Sequence, residues 1–286
     1  MKRILVTGNN GLLGQVVTKV LSDSNKYFPV FFKTENLKRN IINVAHCQEA
    51  LEGVDGVIHL ASCQAYKNAT DDDYFDINVR GTYLLRESAL KKGINLFLFT
   101  SSQDIYDKSK MPEFGFNENS KVKPSSIYSQ SKLNAEKKLM KLDTSGLVIF
   151  RLSVILGNWL IPNSFFYFLI NSLKKNKIEI YGDGKRLYDF LLAHDIARVF
   201  IMALDNNLEG VYNLGYGKKI AVSDIATILS RITNSTLTYL SHEKEKTSSF
   251  LDCRKILNKI SFVPTDISKS VEHLVNLSNK DNIYEK

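Results

Sequence analysis

The chain has 286 residues, 44% of them hydrophobic, which is enough for one large core or two smaller ones. Its formal net charge of +8 at pH 7 comes from Lys and Arg spread along the chain rather than from a long basic block. This distribution disfavours a nucleic-acid-binding module. Cys47, Cys63 and Cys253 are far apart and form no CxxC pair, so we expect neither a disulfide framework nor a metal site.

The N-terminal segment MKRILVTGNNG enters a strand directly and lacks the features of a signal peptide. The longest apolar region, residues 147–162, is interrupted by Arg151, Ser153 and Asn158, which indicates core rather than a membrane span. We therefore expect a cytoplasmic protein without membrane insertion.

Short apolar runs bounded by turn residues predict strands, and the amphipathic patterns between them predict helices. Strands that are apolar throughout and alternate with helices indicate a parallel sheet covered on both faces. The expected fold class is therefore α/β, a Rossmann-type doubly wound parallel sheet. The predicted strands are 4–6, 28–32, 57–60, 96–99 and 147–152, and the predicted helices between them include 12–21, 74–92 and 129–142.

The pattern changes after about Gly157. Helical segments at 164–175, 195–204, 222–233 and 267–277 alternate with short isolated strand-like pieces, IEIYG, VYNLG and TLTYL. We predict a dinucleotide-binding domain over 1–157 and a smaller mixed α/β part over 158–286 that is mainly substrate-binding, with some segments returning to the sheet. It would rest on the carboxyl edge of the sheet, where ligands of open α/β sheets bind.

A glycine-rich loop, TGNNGLLG, follows the first strand and opens the first helix. Gly8, Gly11 and Gly14 allow a tight turn, a close approach to a pyrophosphate and close helix packing, and the helix N-terminus faces the anion. We therefore expect a dinucleotide cofactor. The second predicted strand ends at Lys33, with Lys38 nearby and Glu35 as the only acid, so NADP(H) is favoured over NAD(H).

Tyr128 and Lys132 are four residues apart at the start of a predicted helix, which places them on one face. A tyrosine titrates near 10 in model peptides, and a neighbouring ammonium would favour its phenolate and lower its pKa. Such a tyrosine could exchange a proton with a substrate alcohol.

The loop TGxxGxxG, the strand end Thr100-Ser101-Ser102 and the YxxxK pair together resemble the extended short-chain dehydrogenase/reductases, the NAD-dependent epimerase/dehydratase family. The segments VDGVIHLAS, INVRGT and GVYNLGYG are similar to the same family. The resemblance implies NAD(P)(H) as cofactor and a nucleotide-linked sugar as small-molecule partner. It implies Ser102, Tyr128 and Lys132 as catalytic residues, with Ser101 expected only to cap the strand end.

The resemblance also implies two sets of binding residues. The cofactor-binding candidates are Gly8, Asn10, Gly11, Leu12, Gly14, Lys33, Asn40, Ile41, Leu60, Ala61, Ser62, Asn78, Thr100, Tyr128 and Lys132. The substrate-binding candidates are Ser102, Gln103, Asp104, Arg151, Arg186 and Tyr188. The chain departs from the family's pattern at Tyr188, where family members often have an arginine that binds the nucleotide phosphates. Arg186, two residues earlier, is the candidate substitute.

The residues after Ser102 bear on the reaction. A sugar 4,6-dehydratase of the family has Asp-Glu at this point, whereas this chain has Gln103-Asp104, so the proton donor for the leaving hydroxyl is missing. Two reactions remain: reduction of a 4-keto sugar with Tyr128 as proton donor, which we favour, and 4-epimerisation with tightly bound NAD. A non-catalytic dinucleotide-binding sensor is a third possibility. A homodimer through helices 74–92 and 129–142 is compatible with their apolar stripes, as is packing on the sheet.

Overall fold

A computed structural model describes residues 1–32, 37–64, 69–157, 176–241 and 248–280. Its centre is a six-stranded parallel sheet whose strands lie side by side in the order 210–214, 147–152, 97–102, 56–59, 2–7 and 27–31. The strands of this sheet are β1 (Lys2–Thr7), β2 (Tyr27–Phe31), β3 (Gly56–His59), β4 (Phe97–Ser102), β5 (Leu147–Leu152) and β10 (Gly210–Leu214).

Helices cover both faces of this sheet, as predicted for a doubly wound fold. Alternate strand residues enter two separate cores, so that Ile4 and Val6 pack on one side and Leu5 on the other. One core includes α1 (Leu12–Ser22) and α7 (Ala193–Asp205). The other includes α3 (Val44–Ala50), α5 (Thr82–Lys91) and α6 (Ile127–Leu139), while the short helices α2 (Leu37–Ile41) and α4 (Asp71–Phe75) lie near its edge.

The order of the strands agrees with their sequences. Three of the inner strands, β3, β4 and β5, are buried at every residue, which explains why their sequences are mainly apolar rather than alternating. Strand β2 contains Pro29 and lies at the edge of the sheet, where a residue without an N–H group is tolerated.

The later part of the chain forms small two-stranded sheets around a third core. Two expected isolated pieces, IEIYG and TLTYL, pair with each other, but VYNLG is β10 and joins the main sheet beside β5. The domain boundary near Gly157 remains a prediction. The remaining elements are β6 (Val154–Leu156), β7 (Lys177–Tyr181), β8 (Leu187–Tyr188), β9 (Phe190–Leu192), β11 (Ile220–Ala221), β12 (Thr236–Leu240), α8 (Val222–Thr233), α9 (Arg254–Leu257) and α10 (Ile267–Lys280).

The predicted helix 74–92 is interrupted. A π-helical segment, Asp76–Gly81, separates α4 from α5, and π-helical turns are frequent at functional sites. The predicted helix 164–175 lies outside the described residues. No helix in the described part of the chain is long and apolar enough to cross a membrane.

Candidate active site

The glycine loop between β1 and α1 has the shape of an anion cradle. Gly8 has a φ of 71°, and a Cβ atom there would lie 2.7 Å from the backbone nitrogen of Ala61. A Cβ atom at Gly14 would lie 2.1 Å from the Gly8 carbonyl oxygen. Both positions therefore require glycine.

The N-terminus of α1 is open to a ligand. No side chain caps this helix at Gly11, and its first turn carries no acidic residue. Its first N–H groups have no partner within the helix, and the positive end of its dipole points the same way. These features fit the pyrophosphate of a dinucleotide.

The remaining cradle residues surround this loop. The Leu60 N–H donates to the Thr7 carbonyl at 3.2 Å, which brings Leu60, Ala61 and Ser62 beside the loop. Asn10 is exposed, and its carbonyl accepts from Gln15 Nε2 at 3.1 Å. Leu12 packs under the backbone of Gly157 at the end of β6.

At the predicted adenosine end of the cofactor site, Lys33 and Glu35 lie outside the described residues. Lys38 forms ion pairs with Asp73 at 2.8 Å and Asp76 at 3.3 Å. Lys38 is thus neutralised within the protein, which removes part of the argument for NADP(H).

Ile41 is fully buried against Gly81. The predicted contact between its side chain and a cofactor is therefore not supported. Asn40 is half-buried, and its carbonyl accepts from the Asn43 N–H at 3.1 Å.

The three predicted catalytic residues come from two neighbouring elements. Ser102 is the last residue of β4, and Tyr128 and Lys132 lie on α6. Helix α6 begins at Ile127, because the Ser126 side chain accepts from the Ser129 N–H and the Ser129 side chain accepts from the Ser126 N–H, both at 3.1 Å. This capping box fixes the first turn of α6, from which the Tyr128 side chain projects.

Lys132 is buried beneath the site. Its Nζ donates to the Thr100 carbonyl at 2.9 Å, two residues before Ser102, and lies 5.9 Å from the centre of the Tyr128 ring. Burial lowers the pKa of Lys132 to about 7, although the charge of Glu136 opposes this shift. The amine is therefore close to its titration point at neutral pH.

The pKa of Tyr128 is shifted opposite to the sequence-based expectation. Burial raises it, and the Asp104 carboxylate and Tyr74 raise it further. The expected lowering of the Tyr128 pKa by Lys132 was wrong. Desolvation of the phenolate raises this pKa by more than the Lys132 amine lowers it, because the amine is itself hard to protonate when buried. In this site Tyr128 is a protonated phenol.

The roles expected for Ser101 and Ser102 are also partly reversed. Strand β4 continues through Ser102, and Ser102 Oγ accepts from the Asp104 N–H at 3.1 Å, which caps the following turn. The Ser101 hydroxyl is buried and has no hydrogen-bond partner among the described residues, so the predicted capping by Ser101 was wrong. Capping by Ser102 leaves its hydroxyl hydrogen available as a donor.

Asn78, on the π-helical segment, supports α6, the helix that carries Tyr128 and Lys132. Its Oδ1 accepts from the Cys63 N–H at 2.7 Å and from Ser62 Oγ at 3.1 Å. Its Nδ2 donates to the Cys63 carbonyl at 3.0 Å and to Ser131 Oγ at 2.8 Å. All four hydrogen-bonding positions of the amide are used within the protein, so direct cofactor binding by this side chain, as predicted, is not supported.

Sequence reasoning missed Ser131, which continues this support to Tyr128. Its hydroxyl donates to the Tyr128 carbonyl at 2.7 Å. The signal was a serine inside the YxxxK motif, three residues after the tyrosine, on a face that is fully buried.

Four of the predicted substrate residues are linked to one another, and one of them, Asp104, lies near Tyr128. Asp104 acts electrostatically on both Tyr128 and Tyr188. The Arg186 guanidinium lies 4.5 Å from the centre of the Tyr188 ring. Gln103 is buried, and its Oε1 accepts from Ser249 Oγ at 3.4 Å, next to the bridge between Ser249 and Tyr188.

Arg151 is not part of this group. Its Nη2 donates to Glu136 Oε2 at 2.8 Å, and its Nη1 donates to Tyr106 Oη at 2.9 Å and to the Glu118 carbonyl at 2.8 Å. The Arg151 side chain is only 9% exposed, so its predicted role as a substrate ligand is replaced by a structural one. Among the residues that the structure covers, no group of three or more His, Cys, Asp or Glu side chains is arranged to hold a metal ion.

Comparison with known proteins agrees with this geometry. The family model described as the NAD-dependent epimerase/dehydratase family matches residues 4–215. A putative UDP-glucose 4-epimerase of Methanocaldococcus jannaschii is 26% identical, and the alignment covers 98% of this chain and 99% of that protein. The dTDP-D-glucose 4,6-dehydratase of Mus musculus is also 26% identical, over 88% of this chain and 77% of the mouse protein. An uncharacterised protein of Sinorhizobium fredii is 28% identical. The alignment covers 75% of this chain and 56% of that protein's length.

Solved structures share the fold at low identity. The structure of RMD from Pseudomonas aeruginosa complexed with NADPH superimposes with a TM-score of 0.84 at 20% identity, covering 98% of each chain. A dTDP-4-dehydrorhamnose reductase from Clostridium acetobutylicum superimposes with a TM-score of 0.82 at 21% identity, covering 97% of this chain and 99% of that one.

Proposed function

Because the chain belongs to the NAD-dependent epimerase/dehydratase family, we propose that it reduces a 4-keto sugar carried on a nucleotide, with Tyr128 as proton donor. The observation that carries the proposal is Gln103, which is buried and hydrogen-bonded to Ser249 at the position where the family's dehydratases have an acid, beside a Tyr128 that burial keeps protonated. A ketoreductase must begin its chemical step with a protonated donor, whereas oxidation of a sugar alcohol must begin with a base.

The residues that would hold the cofactor fit a dinucleotide. Gly8, Gly11 and Gly14 would receive the pyrophosphate at the N-terminus of α1. Ala61 and Ser62, beside the loop, would line its path. A bound reduced nicotinamide would supply the hydride.

The chain's own groups would manage the charge on the sugar oxygen. Ser102 and Tyr128 would donate hydrogen bonds to the carbonyl oxygen, and Tyr128 would transfer its proton as the oxygen becomes an alcohol. The phenolate left on Tyr128 would favour the charged form of Lys132, whose amine titrates near neutrality. Lys132 would thus take up a proton from the solvent when Tyr128 gives its own to the sugar oxygen, and would pass it on to restore the phenol.

Dehydration is disfavoured by the residue after Ser102. Gln103 stands where the family's dehydratases have an acid, and it is buried and hydrogen-bonded to Ser249. An amide cannot donate a proton to a leaving hydroxyl.

A 4-epimerase is the second candidate. The observation in its favour is the alignment with the putative UDP-glucose 4-epimerase over almost the full length of both chains. In that reaction Tyr128 would first accept a proton from the sugar alcohol and later return it, so it would have to be deprotonated before the first step.

One experiment separates these reactions. The purified protein is incubated with nucleotide sugars and their 4-keto derivatives while the absorbance of the reduced nicotinamide is followed. Net consumption supports the reductase, and interconversion of sugars without net consumption supports the epimerase. Bound cofactor with neither reaction would support a non-catalytic sensor and contradict the proposal.

A pair of tyrosine variants tests the proton donor. Tyr128→Phe should retain cofactor binding and lose turnover by several orders of magnitude, because the phenol proton is transferred in the reaction. Tyr83→Phe is the matched control, since Tyr83 lies on α5 and its hydroxyl donates only to the surface carboxylate of Glu87 among the described contacts. Undiminished turnover of Tyr128→Phe would refute the assignment.

A further inference from the structure

His59, the last residue of β3, is fully buried between two threonine hydroxyl groups. Its Nδ1 lies 2.7 Å from Thr7 Oγ1, and its Nε2 lies 2.9 Å from Thr82 Oγ1. Thr7 immediately precedes Gly8 of the glycine loop, and Thr82 is the first residue of α5 after the π-helical segment. The ring therefore joins two elements that are far apart in sequence.

The neighbouring hydrogen bonds determine which ring nitrogen carries the proton. Thr82 Oγ1 donates its single hydrogen to the Asn78 carbonyl at 2.7 Å, so towards His59 it must accept. Nε2 therefore carries the hydrogen, and Nδ1 accepts one from Thr7. Thr7 Oγ1 in turn accepts from the Ala61 N–H at 3.1 Å. Each donor between Ala61 and Thr82 therefore has one acceptor.

The surroundings of His59 keep its ring neutral. Burial lowers the pKa of His59 to about 3, and the positive charge of Lys132 contributes to the lowering. The ring stacks on Phe99, with centres 5.8 Å apart, and the Lys132 Nζ lies 5.0 Å from the centre of the same Phe99 ring. A second proton on His59, at Nδ1, would force the Thr7 hydroxyl to turn its hydrogen away from the ring and accept instead.

From Thr82 the hydrogen bonds continue to the catalytic helix. Asn78 receives the Thr82 hydroxyl on its carbonyl and donates from its side chain to Ser131, which donates to the Tyr128 carbonyl. A second route starts at the His59 carbonyl, which accepts from Thr100 Oγ1 at 3.3 Å. The Thr100 carbonyl then accepts from Lys132 Nζ at 2.9 Å.

We propose that His59 is a positioning residue which, as the neutral Nε2–H tautomer, fixes the glycine loop at Thr7 relative to Tyr128 and Lys132. Its effect on turnover rests on the proposed function, whereas the tautomer does not. A cofactor held at the loop and a sugar held at Tyr128 react only at the correct separation, and a displacement of about 1 Å can cost about 100-fold in rate. His59 lies at the point where both routes meet.

The first test removes one hydroxyl without changing the shape of the site. In Thr82→Val the His59 Nε2–H loses its acceptor and the Asn78 carbonyl loses a donor. We expect kcat to fall about 10-fold or more, within the range for misplaced reacting groups, with unchanged KM for the sugar and unchanged Kd for the cofactor. Thr82→Ser, which keeps the hydroxyl, should restore kcat.

Two outcomes of this test would overturn the proposal. One is a Thr82→Val enzyme with wild-type kcat. The other is a Thr82→Ser enzyme as slow as Thr82→Val, since the methyl group rather than the hydroxyl would then matter.

The second test needs no activity. Protein labelled with ¹⁵N in its five histidines is examined by NMR, and the His59 signals are assigned as those lost in His59→Gln. We expect one nitrogen to carry a hydrogen, at Nε2, from neutral pH down to about pH 5. A cationic ring at pH 6, or an Nδ1–H tautomer, would overturn the proposal even if Thr82→Val folds poorly. Failure of the proposed function would be recognised separately, as a wild-type protein that binds cofactor but turns over no sugar.

Discussion

The buried pair of Glu136 and Arg151 provides a quantitative test of how α6 is held against the sheet. Glu136 is four residues after Lys132 on α6, and Arg151 lies on β5. Their side chains are 5% and 9% exposed, and the Arg151 guanidinium donates to both Glu136 carboxylate oxygens, at 3.1 Å from Nε to Oε1 and 2.8 Å from Nη2 to Oε2. Replacing one partner would leave an uncompensated buried charge.

The expected loss follows from these contacts. Arg151→Met should lower the free energy of unfolding by about 3–5 kcal/mol, the usual cost of breaking a buried ion pair on one side. Glu136→Leu should cost a similar amount, because it leaves the guanidinium charge buried. In the double variant both charges are gone, and the Glu118 carbonyl and the Tyr106 hydroxyl each lose a donor, at about 1 kcal/mol apiece. The double variant should therefore lose only about 2 kcal/mol.

Urea unfolding followed by circular dichroism measures all four proteins under the same conditions. A double variant that is more stable than either single variant supports the reasoning. Losses that simply add, or an Arg151→Met protein within about 1 kcal/mol of wild type, would show that the pair is not a tightly coupled buried unit.

Three further predictions concern the cradle, a buried acid and the cofactor preference. Gly14→Ala should weaken cofactor binding at least ~10-fold in a titration, since its Cβ would meet the loop carbonyl at 2.1 Å, and unchanged affinity would contradict the cradle. Burial raises the pKa of Asp189 to about 7, above the unfolded value near 3.9, so the folded state binds more protons between these values and loses stability as pH rises from about 4 to 7. Asp189→Asn should flatten this slope in urea unfolding at several pH values, and an unaltered slope would assign it to another group. Lys38→Met should leave the ratio of NADPH to NADH affinity within about 2-fold of wild type, because its charge is already neutralised, and a large fall in NADPH affinity would show that Lys38 binds the cofactor.

The sheet and its helices could be predicted from the sequence because their signals are local. The strand Leu147–Leu152 and the helix Val222–Thr233 have the predicted bounds, since apolar runs and helical periodicity directly report burial. The π-helical segment was not predictable in this way. One extra residue per turn hardly changes the apolar pattern between Tyr74 and Lys92, and Asn78 is held there by contacts with Cys63 and Ser131.

The candidate site was predictable only where a motif carried it. Tyr128 and Lys132 are four residues apart, whereas Thr7, His59 and Thr82 are separated by 52 and 23 residues and meet only in the fold. A histidine at the end of an apolar strand gives no sign of its partners. The predicted substrate role of Arg151 failed for the same reason, because its partner Glu136 lies on another element.

Electrostatic effects at Tyr128 required the structure for a different reason. The sequence shows a cation four residues away, but the pKa depends on how far each form is desolvated and on where Asp104 lies. The Lys132 amine donates a hydrogen bond to the Thr100 carbonyl, and burial lowers its own pKa towards neutral pH. The sign of the shift at Tyr128 was therefore decided by burial, which a motif cannot report.

The residues of the candidate site differ in how firmly the fold holds them, and this difference indicates which of them would determine substrate specificity. Ser102, Tyr128 and Lys132 are held by backbone and buried side-chain groups of β4 and α6, so they have little freedom to adapt to different sugars. Arg186 and Tyr188 instead lie on or beside the two-residue strand β8, which reaches the site through Ser249. Because short strands outside the main sheet can change without disturbing the catalytic helix, we expect substitutions at Arg186 and Tyr188 to alter KM for the nucleotide sugar while leaving the Tyr128 chemistry intact.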